Sequence, residues 1–343
     1  MSQARDLLER LLEGENLSQP QAEQLLGLLT DGTTPAAMIG AVLAALRAKG
    51  AVADEVRGFA EAMRRLARQP VLPAAVRAID IVGTGGDRSG SLNISTGTAL
   101  LTAACGLQVV KHGNRSVSSR AGSADVLEAL GLPMPLDENA AGVCLARCGF
   151  TFLFAPHYHA ATQAVAAARR ALGVRTVFNI LGPLTNPAQP PLRLIGAFSL
   201  QVAELMAESL AGMRIERAFV VHGAEGWDEP TPVGPFTLFD VRPGEVRSEV
   251  RRPEDYGLPR CASSALTGGD AQHNAEALRA VLCGEARGAH RDCLLLGTAL
   301  ALEVAGQVGD PLGGVARAAA AIDDGSAARV LHSLTSIRGS HGQ

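Results

Sequence analysis

The chain has 343 residues, 47% hydrophobic and 19% charged, enough apolar material for a sizeable buried core and too much for a disordered protein. A formal net charge of -3 leaves no diffuse positive field for nucleic acid or an acidic membrane surface, so any anion site must be local. Aromatic residues make up only 3%, so the core must be built from Ala, Leu, Val and Ile, the mixture of helices packed on a parallel sheet.

The first residues, Met1 to Asp6, bring acid early and lack the basic start and apolar run of a signal peptide. No run reaches the roughly 18 to 20 apolar residues a membrane helix needs, and a soluble cytoplasmic protein is expected. Leu7, Leu8, Leu11 and Leu12, then Ala22, Leu25, Leu26 and Leu29, recur at helical spacing. Ser18 with Gln21 reads as a capping box and Thr34 before Pro35 as a second cap. Asp31-Gly32 and Lys49-Gly50 mark turns, which predicts four short helices ending near Ala67 and a linker, Gln69 to Pro73.

From Ala78 the pattern changes to short β-branched runs that end in glycine or polar residues and precede helical stretches, as in βαβ units. Ile79–Val82, Leu107–Val110 and Ala218–Val221 are the predicted strands. In a parallel sheet the ligand crevice lies beyond the strands' carboxyl ends, so the residues that follow each run should converge. Helices are predicted over Gly97–Cys105, Thr162–Leu172, Asn274–Leu282 and Gly313–Ile322, while Pro183 and Pro187 make Phe178–Pro187 a turn-rich stretch. The six cysteines show no CxxC pair and read as reduced structural residues.

Three strand-end segments carry chemistry. Gly83-Thr84-Gly85-Gly86-Asp87 follows the first strand and reads either as a plain tight turn or as a nest of backbone N–H groups for an anion. It is neither a P-loop nor a GxGxxG fingerprint. Asn93 to Thr96 leads into a helix, and its hydroxyls serve either as caps alone or beside a phosphate at the helix N-terminus. Lys111 to Ser119 crowds two cations, an amide and three hydroxyls after the second strand, with His112 assigned no proton transfer. Asp228-Glu229 follows the third strand and is either a solvated acidic loop or a Mg²⁺-type carboxylate pair. A polyphosphate sugar would use all of these groups. No nucleophile elbow, HExxH or Ser-His-Asp pattern supports a hydrolase.

Asp80 to Asp87, Lys111 to Ser119, Gly122-Ser123-Ala124-Asp125 and Phe178 to Pro187, in that order, resemble the anthranilate phosphoribosyltransferase family over most of the chain. The resemblance implies an α/β fold of the nucleoside phosphorylase/phosphoribosyltransferase type. A small all-helical N-terminal domain, 1–72 completed by about 162–187, would stand beside a large parallel-sheet α/β domain, 73–161 and 188–338, with 339–343 as a tail. It implies transfer of the 5-phosphoribosyl group of 5-phosphoribosyl-1-pyrophosphate (PRPP) to the amine of anthranilate, two Mg²⁺ per site, and a homodimer joined through the helical domains.

By matching motif, Gly83, Gly86, Asp87, Asn93, Ile94, Ser95, Thr96 and the loop Lys111, His112, Gly113, Asn114, Arg115, Ser116, Val117, Ser118 and Ser119 resemble the PRPP site, with Ser91 and Ser123 as further phosphate contacts. Gly83, Asn114 and Arg169 resemble anthranilate contacts, and Ser95, Asp228 and Glu229 the metal positions. Two departures are modest. Ala160 to Gln163 stands where the family commonly has Pro-Ala-Met-Lys, and Gly97 replaces a helix former near a helix start. The rival readings are a pyrimidine nucleoside phosphorylase, which needs no acidic metal pair, and a non-catalytic nucleic-acid-binding relative, which needs a basic surface this chain lacks.

Overall fold

A computed structural model describes residues 2–74, 76–116 and 120–337. Four helices come first, α1 (Ser2–Leu12), α2 (Gln19–Thr30), α3 (Ala36–Lys49) and α4 (Ala53–Leu66). The stripe Ala22, Leu25, Leu26 and Leu29 is at most 1% exposed, and burying one such leucine stabilises by about 1.5 to 3 kcal/mol. Gln21 accepts from Ser18 N at 3.0 Å, the reciprocal half of the expected capping box. The Thr34 cap does not form, because its hydroxyl donates to Leu28 O and Pro35 takes the cap position.

The second part runs β1 (Ala78–Gly83), α5 (Ile94–Ala104), β2 (Gln108–Gly113), α6 (Ser123–Ala129), α7 (Glu138–Cys148) and β3 (Phe150–Phe154). A returning segment holds α8 (Ala155–Tyr158), α9 (Gln163–Leu172) and α10 (Phe178–Leu181). Then come β4 (Leu192–Gly196), α11 (Leu200–Ala211), β5 (Arg217–His222), β6 (Phe236–Arg242) and β7 (Glu245–Arg251). Helices α12 (Ala271–Leu282), α13 (Ala289–Val304), α14 (Pro311–Asp323) and α15 (Ser326–Thr335) close the chain. The sheet order is β3-β2-β1-β4-β5-β6-β7. The first five strands are parallel, while β6 and β7 add an antiparallel edge that the strand pattern did not announce.

Two apolar cores lie on the sheet's two sides. One packs α5, α12 and α13 on one face; the other runs from α1–α4 through α9 and α11 to Ile195, Ala218 and Val220 on the opposite face. The leucine-rich N-terminal helices therefore find partners within the chain: Leu11, Leu26 and Leu29 are at most 2% exposed.

Helix α5 starts at Ile94, not Gly97. A Cβ on Gly97 would stand 2.6 Å from Leu278 Cδ2 and 2.7 Å from Leu294 Cδ2, so glycine there lets α12 and α13 approach and is not a weakened helix start.

Candidate active site

The crevice lies at the carboxyl ends of the parallel strands, where the β1–β2 ladder is short. β1 and β4 pair over five residues, but β1 and β2 pair only at Ala78↔Gln108 and Ile79↔Val109. Beyond that point Asp80 takes over: its carboxylate accepts from His112 N at 3.2 Å and from Asn186 Nδ2 at 2.9 Å, and the same Asn186 nitrogen donates to Val110 O at 2.8 Å. Side chains thus take the place of ladder hydrogen bonds between β1 and β2 beyond Ile79.

Gly83 ends β1, Gly196 ends β4 and Gly223 follows β5, and together they make room for Trp227–Glu229. An added Cβ would lie 2.4 Å from Asp228 Oδ2 at Gly83, 1.6 Å from Asp228 O at Gly196 and 2.2 Å from Glu229 O at Gly223. The Asp228 carboxylate accepts from Gly85 N and, at 3.4 Å, from Thr84 Oγ1, while Asp228 N donates to Asp87 Oδ2 at 3.4 Å. Glu229 accepts from Ser95 N at 3.1 Å, at the first turn of α5. Burial raises both carboxyls above the ordinary range, reinforced by Asp87 beside Asp228 and by Asp228 beside Glu229. Three acids converging on the glycine turn and a helix N-terminus suit a hard cation held through oxygen and water. Among the described residues no group of three or more His, Cys, Asp or Glu side chains is placed to hold a metal by itself, so a cation here would need further ligands from water or a bound anion.

Lys111 and His112 are not on a loop. They belong to β2, where alternation sends them to opposite faces. Lys111, fully buried, donates to Ile81 O and to Ser95 Oγ at 3.2 Å, so it faces the acids. Burial lowers its pKa against the pull of Asp80, Glu229 and Asp228. His112 faces away: its Nδ1 lies 3.1 Å from Gly182 O and its ring is edge-on to His159 at 5.0 Å. Burial, with His159 adding, pushes its pKa down to about 3, so it is neutral.

The remaining sequence candidates divide. Gly86 and Asp87 lie in the turn, with Asp87 Oδ1 accepting from Ser89 N at 3.0 Å, and Ser91 follows, its hydroxyl bonded to Ser89 at 3.1 Å. Asn93 is tied to Ala121 O at 3.2 Å and to Asn274 at 2.8 Å, which places the crevice wall but makes no side-chain cap. Ile94, in the first turn of α5, packs in the buried core, and Thr96, in the same turn, is buried with no hydrogen-bond partner for its hydroxyl among the described residues. Gly113 and Asn114 follow along β2 and its end, Ser116 N donates to Asp125 Oδ2 at 3.1 Å, and Ser123 opens α6. Arg115 is spent on Asp125 at 2.8 Å and Glu128 at 2.7 Å. Val117, Ser118 and Ser119 lie outside the described residues. Arg169 is half-buried on α9 with its guanidinium 5.0 Å from the Phe178 ring centroid, whereas Arg170 is exposed.

Sequence reasoning missed Asp80, Asn186 and Arg175. A carboxylate inside the apolar run Ile79-Asp80-Ile81 was the available signal, since an unpaired Asp is seldom buried. Asn186 and Arg175 gave none, because their partners are distant in the chain.

A helical bundle on a mostly parallel sheet, with a glycine turn and acids at the strand ends, is matched by two domain models of a glycosyl-transferring family. The family model described as "Glycosyl transferase family, helical bundle domain" matches residues 5–67, and "Glycosyl transferase family, a/b domain" matches 75–328. The chain belongs to the anthranilate phosphoribosyltransferases. It is 46% identical over 331 residues to the anthranilate phosphoribosyltransferase of Desulforudis audaxviator, covering 96% of this chain and 95% of that one. The crystal structure of the Thermus thermophilus enzyme matches with a TM-score of 0.89 and 38% identity, over 96% of this chain and 98% of the other. The Saccharomyces cerevisiae enzyme in complex with PRPP and Mg matches with a TM-score of 0.87 and 27% identity, over 98% and 97%.

Proposed function

We propose that the chain joins anthranilate to the 5-phosphoribosyl group of PRPP, releasing pyrophosphate, the step anthranilate phosphoribosyltransferases perform in tryptophan biosynthesis. The observation that carries this reading is the meeting of the Gly83–Asp87 turn with Asp228, Glu229 and the Lys111–Ser95 pair in one crevice. Backbone N–H groups of the turn and the α5 N-terminus favour phosphate oxygens. Asp228 and Glu229, with Ser95 beside them, would hold Mg²⁺, two ions per site. When bound, the metal supplies positive charge against the departing pyrophosphate. The amine nitrogen bonds to C1 as the C1–O bond to pyrophosphate breaks. The surplus amine proton passes to solvent or pyrophosphate, since His112 is turned away and no side chain is assigned its transfer. The residues contribute position and electrostatics: Asn114 orients the acceptor and Arg169 grips its carboxylate, against Gly83 at the strand end.

We further assign a helical unit of 1–72 completed by about 162–187, supported by the packing of α9 against α2 and α3. A cytoplasmic homodimer belongs to the same proposal, on narrower support than the sequence suggested, because most N-terminal leucines are internally buried and Leu12, 68% exposed, is the principal apolar side chain left on α1. No helix among the described residues is long and apolar enough to cross a membrane. The deciding experiment mixes protein, PRPP, Mg²⁺ and anthranilate and follows loss of anthranilate fluorescence with pyrophosphate release. Absence of both signals in well-folded protein would reject the activity.

A further inference from the structure

Arg175 is assigned to neither half of the proposed site, yet it ties the segment that follows Arg169 to the donor-side glycine turn. It lies in the loop between α9 and α10, six residues past Arg169. Its Nη2 donates to Gly86 O in the glycine-rich turn. Its guanidinium carbon sits 3.9 Å from the ring centroid of Phe198, beyond the end of β4. Its carbonyl accepts from Arg47 Nη1, near the end of α3, at 2.5 Å. Phe198 N in turn donates to Thr84 Oγ1 at 3.2 Å, so the stacked ring and the hydrogen bond hold the same turn from two sides. A planar guanidinium can stack and donate at once, which an ammonium cannot. Gly86 holds φ +77°, a backbone conformation that favours glycine, and so presents its carbonyl to Arg175.

From this geometry we propose that Arg175 is a positioning residue coupling the acceptor and donor half-sites. The inference rests on the donor and acceptor assignments above. The segment that carries Arg169 and the turn that cradles phosphate are joined through one guanidinium, so a ligand that moves either one biases the other. Such coupling is reciprocal: donor-site occupancy changes acceptor affinity by the factor that acceptor occupancy changes donor affinity.

The test measures the anthranilate Kd by its fluorescence, with and without saturating Mg²⁺-pyrophosphate, a donor-side probe that does not react with anthranilate. The wild-type ratio of the two Kd values should be about fivefold or more, and that of Arg175→Ala within about twofold of one. Arg175→Lys keeps the charge but loses the fork and the stack, so it should lose most of the coupling; Phe198→Leu should lose part. A residue that merely supports the fold would weaken both ligands and leave the ratio intact. A wild-type ratio retained in folded Arg175→Ala and Arg175→Lys, judged by circular dichroism, overturns the proposal, as does a ratio of one in the wild type. A wild type that binds neither ligand overturns the donor and acceptor assignments themselves. Should Arg175→Ala not fold, Arg175→Lys and Phe198→Leu carry the same comparison.

Discussion

Arg169 and Arg170 are adjacent in sequence and opposite in environment. About 100° of helical rotation separates them, which leaves Arg170 in solvent and puts Arg169 half-buried against Phe178, where burial disfavours its ionised form. A carboxylate arriving there would restore the favoured charge balance. Arg169→Ala should therefore weaken anthranilate by about 1.5 to 3 kcal/mol, roughly ten- to a hundredfold in Kd, with PRPP nearly unaffected and Arg170→Ala close to silent. Steady-state KM values for both substrates check this, and a reversed pattern would move the assignment by one residue. Asp228 and Glu229 make a sharper case, because their carboxyls are raised by burial and by neighbouring acids. A raised folded pKa means that the native state holds more protons than the unfolded one, so these groups lower stability as pH rises above the ordinary carboxylate range. Without magnesium, Asp228→Asn with Glu229→Gln should gain melting temperature over wild type as pH increases. The same raised pKa values make protons compete with metal, so wild-type half-saturation by Mg²⁺ should rise as pH falls. In the double variant kcat should drop sharply, with partial recovery at excess Mg²⁺. Wild-type kcat and magnesium dependence in that variant would leave the acids as a structural cluster only.

Among the elements, α5 joins architecture to the site most directly. Its first turn offers Ser95 N to Glu229, and just beyond it Gly97 lets Leu278 and Leu294 press on the same helix. Gly97→Ala improves intrinsic helix propensity by about 1 kcal/mol, yet it should still destabilise, because overpacking costs about 1 to 3 kcal/mol. Denaturant unfolding decides between the two effects, and a stabilised variant would show that α12 and α13 can retreat. β2 teaches a related lesson: Lys111 and His112 look like the start of a polar loop, but strand alternation gives one to the acids and the other to His159.

For the whole molecule, ligand binding should appear as stabilisation by mass action. PRPP with Mg²⁺ should raise the melting temperature, whereas phosphate with thymidine should not; the opposite ranking would favour the nucleoside phosphorylase reading. Light scattering across the micromolar range should show a dimer, and a fully active monomer would remove that part of the proposal. The sheet's extent is also a property of the whole chain. The runs at β1, β2 and β5 were legible because β-branched residues end in glycine or polar residues there. Phe150–Phe154 and Leu192–Gly196 are short apolar runs that fit a strand or a buried helix turn equally, and Glu245–Arg251 is so charged that its edge position, not its pattern, makes it a strand.

What the amino-acid order alone determined was local: four N-terminal helices, three of the parallel strands, the glycine turn, the acidic pair and the family signature, all written in contiguous residues. The tertiary structure decided which way those residues face. Asp80 reaching Asn186, Gly196 yielding to Asp228, Arg175 meeting Gly86 and Arg115 turning to Asp125 and Glu128 are choices made between or across elements. Chemical type is carried by each residue itself, but the partner that sets its charge, exposure and direction is brought to it only when the strands align and the helices close around them.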